Sequence, residues 1–142
     1  MNLELVKRLT NRAYGSYTFY DEDNDEHRKL EAFLLQAMIL EGILIKVITL
    51  HLKENGFTHL ATKEKIRGYN LNRAIHDLRL LNVITADDFN KLEKYKGTRN
   101  KLVHKILDQN YEDLDKVSRE SYETGESVLA EMISLYKKKL KP

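Results

Sequence analysis

A nearly continuous apolar stretch from Phe33 to Leu52 constrains the fold of this chain more than any other feature. Its length is close to the roughly 20 residues that a helix needs to cross a membrane. Polar or ionisable side chains interrupt it at regular intervals, and such groups are costly in the middle of a bilayer. These interruptions are Gln36, Glu41, Lys46 and His51. We therefore expect a long helix, from about Glu26 to Glu54, that is buried on most sides in a helical bundle and does not cross a membrane.

Size and composition are consistent with one helical domain. The chain of 142 residues is long enough to bury a hydrophobic core, so we treat residues 1–142 as a single domain. With 32% charged residues, one Pro and six Gly, the composition favours helices with solvated outer faces. The net charge of +2 gives no argument for nucleic-acid binding by the molecule as a whole. The absence of cysteine excludes disulfides and thiol chemistry, and it fits a reducing, cytoplasmic location.

Helix start and stop signals predict further helices on both sides of the long one. The long helix should end at Asn55–Gly56, because Gly favours the left-handed conformation that terminates helices. The other expected elements are a helix over Leu3–Arg12, a loop over Tyr14–Asp25, one helical turn over Lys63–Arg67, a helix capped by Asn70, a helix that starts at Thr85–Asp88, and a last helix that opens at Asn110–Asp113. No strand-like alternation of useful length occurs. The sequence therefore predicts an all-α, up-and-down bundle of four to five helices.

One helix carries an arginine on its apolar face. From about Asp88 to Leu107, apolar residues recur at helical spacing; they are Leu92, Tyr95, Leu102, Val103 and Ile106. Arg99 falls in the middle of this stripe, and an arginine is almost never fully buried unless it is paired. It should therefore either meet a carboxylate or line a functional crevice. His104 lies about 140° around the helix from Arg99, at the edge of the stripe. A guanidinium and an imidazole in this arrangement suit an anion or a phosphate.

Glu41 is a second singular residue, because it is an acid in the most apolar part of the chain. A buried carboxylate needs a partner, and Arg99 is the obvious one. One interpretation is an ion pair inside the bundle with a purely structural role. The other is that Glu41 supports the site by fixing the rotamer of Arg99, and the two interpretations are compatible.

The segment from Leu80 to His104, with the sequence LLNVITADDFNKLEKYKGTRNKLVH, resembles the HEPN superfamily of small helical-bundle proteins. The hallmark of that superfamily is an arginine followed, after four to six residues, by a histidine, often with a polar residue directly after the arginine. Here Arg99, Asn100 and His104 match that pattern. The resemblance is clear over about 25 residues, and the helices predicted before and after agree with it in order and length.

The resemblance implies a metal-independent endoribonuclease of the toxin or defence-effector type. Its site would form across a homodimer from two such motifs and would act on single-stranded or loop RNA. Arg99 would hold and neutralise the scissile phosphate, and His104 would transfer protons at the ribose 2′-hydroxyl or the leaving oxygen. Asn100 would orient His104 or the phosphate. A cognate antitoxin or other regulatory protein is a possible further partner. The alternatives are a non-catalytic HEPN-type binding or regulatory protein and a purely structural helical adaptor.

No cofactor and no metal ion are expected, since none of the histidines forms a pair at metal-ligand spacing. A homodimer is expected on physical grounds as well. The long apolar helix has few polar positions to face water, and a symmetric dimer is the commonest way to bury such a surface. We expect the exposed remainder of that helix, together with the Arg99 helix, to form a two-fold interface.

Overall fold

The computed structural model of the chain describes residues 3–18, 28–61, 67–110 and 112–141. The regular structure within these ranges is entirely helical. It comprises α1 (Leu3–Thr18), α2 (Arg28–Glu54), a 3-10 turn (Thr58–Ala61), α3 (Leu71–Leu80), α4 (Ala86–Leu107) and α5 (Leu114–Leu140). The prediction of an all-α bundle of four to five helices is confirmed, with five α-helices in the described ranges.

The apolar helix α2 lies at the centre of the bundle and packs against α1, α3 and α5. Thirteen of its 27 residues are buried, because apolar residues occupy most of its circumference. By length and composition α2 could span a membrane, but 56% of its most apolar window is buried against the other helices. Its outer face remains open, and Met38 on that face is 69% exposed. The predicted burial of this helix within a bundle is therefore confirmed, with one exposed face.

Hydrogen bonds and salt bridges between helices define their directions. The Gln36 amide on α2 donates to the Tyr122 carbonyl near the start of α5, and Lys139 near the end of α5 pairs with Glu54 at the end of α2. Hence α2 and α5 run parallel. Lys91 on α4 pairs with Glu131 on α5, and Tyr95, further along α4, is linked through Gln36 to Tyr122, which is earlier on α5. Hence α4 runs antiparallel to both α2 and α5. Lys96 on α4 donates to Asn72 on α3, and Glu93 Oε1 lies 3.3 Å from His76 Nε2, so α3 also runs antiparallel to α4. Since α2 and α3 then have the same direction, the path departs from strict up-and-down alternation.

Local capping explains where several helices begin and end. The Asn70 side chain accepts a hydrogen bond from the Arg73 amide at 2.9 Å, which starts α3. Thr85 and Asp88 form a reciprocal capping box at the start of α4. After α2, Gly56 has a φ of +81°, a left-handed conformation that costs glycine little. The caps predicted at these three places are confirmed.

Other boundaries differ from expectation or lie outside the described residues. The first helix continues from Arg12 to Thr18, so the predicted loop begins later than Tyr14. The remainder of that loop and most of the helical turn predicted at Lys63–Arg67 fall outside the described residues. Gly15 and the polar residues around it had indicated a loop, but α1 packs along α2, and tertiary packing outweighs such weak local preferences.

The C-terminal ends of α2 and α5 are joined by a small polar cluster. Lys139 Nζ donates to Glu54 Oε2 at 2.9 Å and to His51 Nδ1 at 3.0 Å. Burial, followed by the positive charge of Lys139, lowers the pKa of His51, and Glu54 opposes this shift. A neutral imidazole nitrogen can accept a hydrogen bond from the Lys139 ammonium group, whereas a protonated one cannot, so the arrangement favours an uncharged His51.

Candidate functional site

A buried polar network links three helices directly beneath Arg99. The Tyr95 hydroxyl on α4 donates to Gln36 Oε1 at 2.9 Å, and Gln36 Nε2 donates to the Tyr122 carbonyl at 3.0 Å. The Tyr95 ring also packs against Phe33, with ring centroids 5.2 Å apart. Because the Gln36 amide uses both its acceptor and its donor, this buried polar side chain is satisfied. The network fixes the position of α4 against α2 and α5.

Gly125 on α5 permits this network to form. A Cβ atom at this position would lie 2.1 Å from Gln36 Oε1 and 2.5 Å from Tyr95 Cε2. Both distances are far below ordinary contact between carbon and its neighbours. The sequence had marked Gln36 only as an interruption of the apolar stretch, and it gave no role to Gly125. A glycine in the interior of an otherwise regular amphipathic helix was the one feature of the sequence that could have indicated a close approach at Gly125.

Arg99 lies one turn beyond Tyr95 on α4 and is half-buried. Burial raises the pKa of Tyr95 far above its usual value, and the nearby positive charge of Arg99 opposes part of that shift. The phenol therefore stays protonated and remains a donor to Gln36. The predicted position of Arg99 on the inward-facing stripe of this helix agrees with its partial burial.

The expected ion pair between Arg99 and Glu41 does not form. Among the described residues neither side chain has a salt bridge. The reason is the antiparallel direction of α2 and α4. Gln36 and Tyr95 lie side by side, and from this point Glu41 lies further along the bundle axis in one direction and Arg99 in the other. At 1.5 Å per residue, Glu41 and Arg99 are about 13 Å apart along the bundle axis. Glu41 is half-buried on α2 and is not brought into the candidate site.

The C-terminal half of α4 has an exposed face on which the motif residues lie. The shorter α3 begins level with Lys96, whose ammonium group donates to Asn72 at 2.7 Å, so the last turns of α4 have no α3 beside them. As a result Leu107 is 71% exposed and Val103 is 36% exposed. The sequence had placed Val103 on the buried stripe, and this assignment is wrong because the covering helix is too short.

Arg99 and His104 occupy the two edges of this exposed face. Measured around the helix from Arg99, Val103 and Leu107 lie at about 40° and 80°, Asn100 at about 100° and His104 at about 140°. Asn100 and His104 are both exposed and are one turn apart, as expected. The two exposed apolar side chains therefore separate Arg99 from His104. The Arg99 and His104 side chains therefore leave α4 in directions about 140° apart.

The same half-helix is strongly cationic. It carries Lys94, Lys96, Arg99, Lys101 and Lys105, and no acidic residue occurs between Lys94 and Leu107. Lys96 is neutralised by Glu93 at 2.9 Å, and Lys105 donates to the Glu112 carbonyl at 3.2 Å. Cations are favoured at a helix C-terminus by the helix dipole, which is the structural explanation for part of this charge. The exposed cations also make the surface suitable for an anionic ligand.

Among the described residues no group of three or more His, Asp or Glu side chains has an arrangement that could hold a metal ion. Comparison of the chain with protein-family models, with curated proteins and with solved structures finds no match. The HEPN resemblance therefore rests on the motif residues and their setting in α4.

Proposed function

We propose that this protein is a metal-independent endoribonuclease whose site is assembled from two copies of the Arg99, Asn100 and His104 motif. The observation that carries the proposal is the exposed face of α4, which has Arg99 without a carboxylate partner among the described residues at one edge and His104 at the other. The surrounding lysines favour a polyanion, and guanidinium binds phosphate bidentately.

The proposed dimer follows from the strip between the two motif residues. Val103 and Leu107 expose apolar surface there, and a two-fold axis through this strip would bury it in both copies. The same axis would bring the partner's α4 alongside, so that two arginines and two histidines surround one site. Phosphate bound between the copies would offset the repulsion between their cationic half-helices.

Cleavage needs one proton acceptor and one proton donor, and two copies of His104 would supply both. The RNA 2′-hydroxyl oxygen attacks the adjacent phosphorus while the bond from phosphorus to the 5′ oxygen breaks. A neutral imidazole accepts the 2′ proton, and a protonated imidazole donates a proton to the departing 5′ oxygen. One imidazole cannot be in both states at once, whereas two copies of His104 can. The products are a 2′,3′-cyclic phosphate and a 5′-hydroxyl end, and Arg99 stabilises the charge that develops on phosphate oxygens.

The test is incubation of purified protein with total RNA and with a defined hairpin RNA in excess EDTA. We expect cleavage by the wild type, none by His104→Ala, and undiminished cleavage by His59→Ala, which changes an exposed histidine far from the motif. A hairpin with 2′-deoxyribose at the cut position should resist cleavage. Equal cleavage by wild type and His104→Ala would overturn the proposal, and RNA binding without cleavage would favour the non-catalytic alternative.

A further inference from the structure

An apolar surface with a preorganised arginine lies along α3, on residues that are not part of the motif. A cavity of about 300 Å³ opens between the end of α2, the 3-10 turn and α3. Its lining residues are Leu52, Leu60, Tyr69, Arg73, Asp77, Leu80 and Leu81. Leu52 lies sixteen residues beyond Gln36 on α2, about 24 Å along the helix at 1.5 Å per residue. None of the lining residues belongs to the Arg99, Asn100 and His104 motif, and we call the rim of this cavity the α3 surface.

The apolar part of the α3 surface is unusually exposed. Leu80 is 83% exposed, and Leu60, Leu81 and the neighbouring Phe57 are exposed as well. Single exposed apolar residues are common, but several around one cavity indicate an interaction site. A leucine at the last position of α3 contributes almost nothing to the core of this chain, so its exposure has no structural explanation within the described residues.

The polar wall of the cavity is an ordered triad. The guanidinium carbon of Arg73 lies 4.3 Å from the centre of the Tyr69 ring, and Arg73 Nε is 3.8 Å from Asp77 Oδ2. The Tyr69 hydroxyl donates to the same Asp77 oxygen. Stacking and the ion pair fix the plane of the guanidinium, yet 54% of the Arg73 side chain remains exposed. An oriented and accessible guanidinium is suited to a second carboxylate.

The charged residues around the cavity distinguish between an acidic partner protein and a second copy of this chain as the molecule that binds the α3 surface. In the described segments 52–61 and 67–81 the cations are Lys53, Arg67, Arg73 and Arg79, whereas the acids are Glu54 and Asp77. Both acids are already in salt bridges, with Lys139 and with Arg73. A second copy of this chain placed symmetrically here would oppose like charges, which is unfavourable. These segments, which contain the lining residues, therefore carry two more cations than acids, and this excess favours an acidic partner.

We propose that the α3 surface docks an acidic amphipathic helix of a different protein, with an apolar side chain in the cavity and a neighbouring carboxylate on Arg73. A helix is the fitting form because it satisfies its own backbone, and the described residues offer no sheet edge to pair with an extended peptide. The partner's apolar residues would cover Leu80 and Leu60. This inference is independent of RNA cleavage, because the surface shares no residue with the motif.

The experiment is selection from a displayed library of amphipathic helical peptides against the wild-type protein, followed by fluorescence anisotropy with the selected peptides. We expect enrichment of Leu, Ile or Phe anchors flanked by Glu or Asp. Binding should weaken at least tenfold in Leu80→Asp and in Arg73→Glu, and it should change less than twofold in Met38→Asp. Met38 is the matched control because it is similarly exposed but lies on α2 away from the cavity.

Circular dichroism on each variant separates loss of binding from loss of folding, and the exposed position of Leu80 makes misfolding of Leu80→Asp unexpected. Three results would each overturn the proposal. The selection could yield basic peptides, the selected peptides could bind Leu80→Asp as tightly as wild type, or no peptide could exceed background. Self-association of the protein that Leu80→Asp abolishes would assign the surface to a second copy instead.

Discussion

The close approach of α5 to the Gln36–Tyr95 pair predicts that Gly125→Ala destabilises the protein. The new Cβ would lie 2.1 Å from Gln36 Oε1 and 2.5 Å from Tyr95 Cε2, where ordinary contacts are about 3.5–4.0 Å. Gln36 cannot simply turn away, because its amide is held by Tyr95 on one side and by the Tyr122 carbonyl on the other. Either the helices must separate or at least one of these buried hydrogen bonds must break.

The expected magnitude follows from three contributions. Alanine is favoured over glycine inside a helix by about 1 kcal/mol. Overpacking of a well-packed core costs about 1–3 kcal/mol. Leaving one buried polar group without its partner costs a further 1–3 kcal/mol, roughly. The net loss in the free energy of unfolding should be about 3 kcal/mol, which for a chain of this length lowers the melting temperature by about 10 °C.

Gly97→Ala is the matched control, because Gly97 is inside α4 and a Cβ there would meet nothing within 4 Å. The same substitution should therefore raise stability there, by about 0.5–1 kcal/mol. Urea denaturation and thermal melts measure both variants. If Gly125→Ala proved as stable as wild type, the interhelical network could not be as described. In a Gln36→Ala background the cost of Gly125→Ala should shrink, since the principal obstacle is then absent.

Three further predictions concern the motif, the dimer and pH. Arg99→Ala and His104→Ala should each abolish RNA cleavage and change the free energy of unfolding by less than about 1 kcal/mol, because neither side chain is salt-bridged within the described residues. If melts showed that Arg99→Ala loses about 3–5 kcal/mol, Arg99 would instead be part of a buried ion pair. Sedimentation should report about twice the chain mass of 16.7 kDa, and Leu107→Asp should sediment as a monomer without cleavage activity; a monomeric wild type that cleaves RNA would contradict the composite site. The free energy of unfolding should fall as the pH drops below 6.5, the usual pKa of histidine. In the unfolded chain His51 binds a proton near that pH, whereas in the folded protein its pKa is lowered and it stays neutral, so the added protons favour the unfolded state. Urea titrations at several pH values should show a smaller fall in His51→Gln, and an identical fall would refute this role.

Short-range signals in the sequence predicted the helix boundaries that depend on single side chains. Asn70, Thr85 with Asp88, and Gly56 act on backbone groups within three or four residues, so their effect is visible without knowledge of the fold. The apolar pattern of α2 likewise predicted its burial. In contrast, the extension of α1 beyond Arg12 was not predicted, and Ala13 at its start is buried in the core, a tertiary contact that local residue preferences do not contain.

The site was harder to predict because its geometry depends on relative helix direction and length. Arg99 and Glu41 looked like partners since each is a charge in an apolar setting, but the antiparallel path separates them. Val103 is exposed because α3 is ten residues long and α4 is 22 residues long. Periodicity gives the angle of a residue around its own helix, whereas these outcomes depend on what lies alongside.

The parallel packing of α2 with α5 has a consequence for synthesis of the chain. The ribosome completes α2 at Glu54 but does not complete its main covering helix until Leu140. At 5–20 residues per second, about 4–17 s pass between these two events. Throughout that interval the most apolar helix of the protein lacks the surface of α5 that finally covers it, and at the start of the interval α1 is the only other described helix already made. The nascent chain therefore exposes the apolar surface of α2 until the 27 residues of α5 have emerged, and we expect chaperones to protect it during that time.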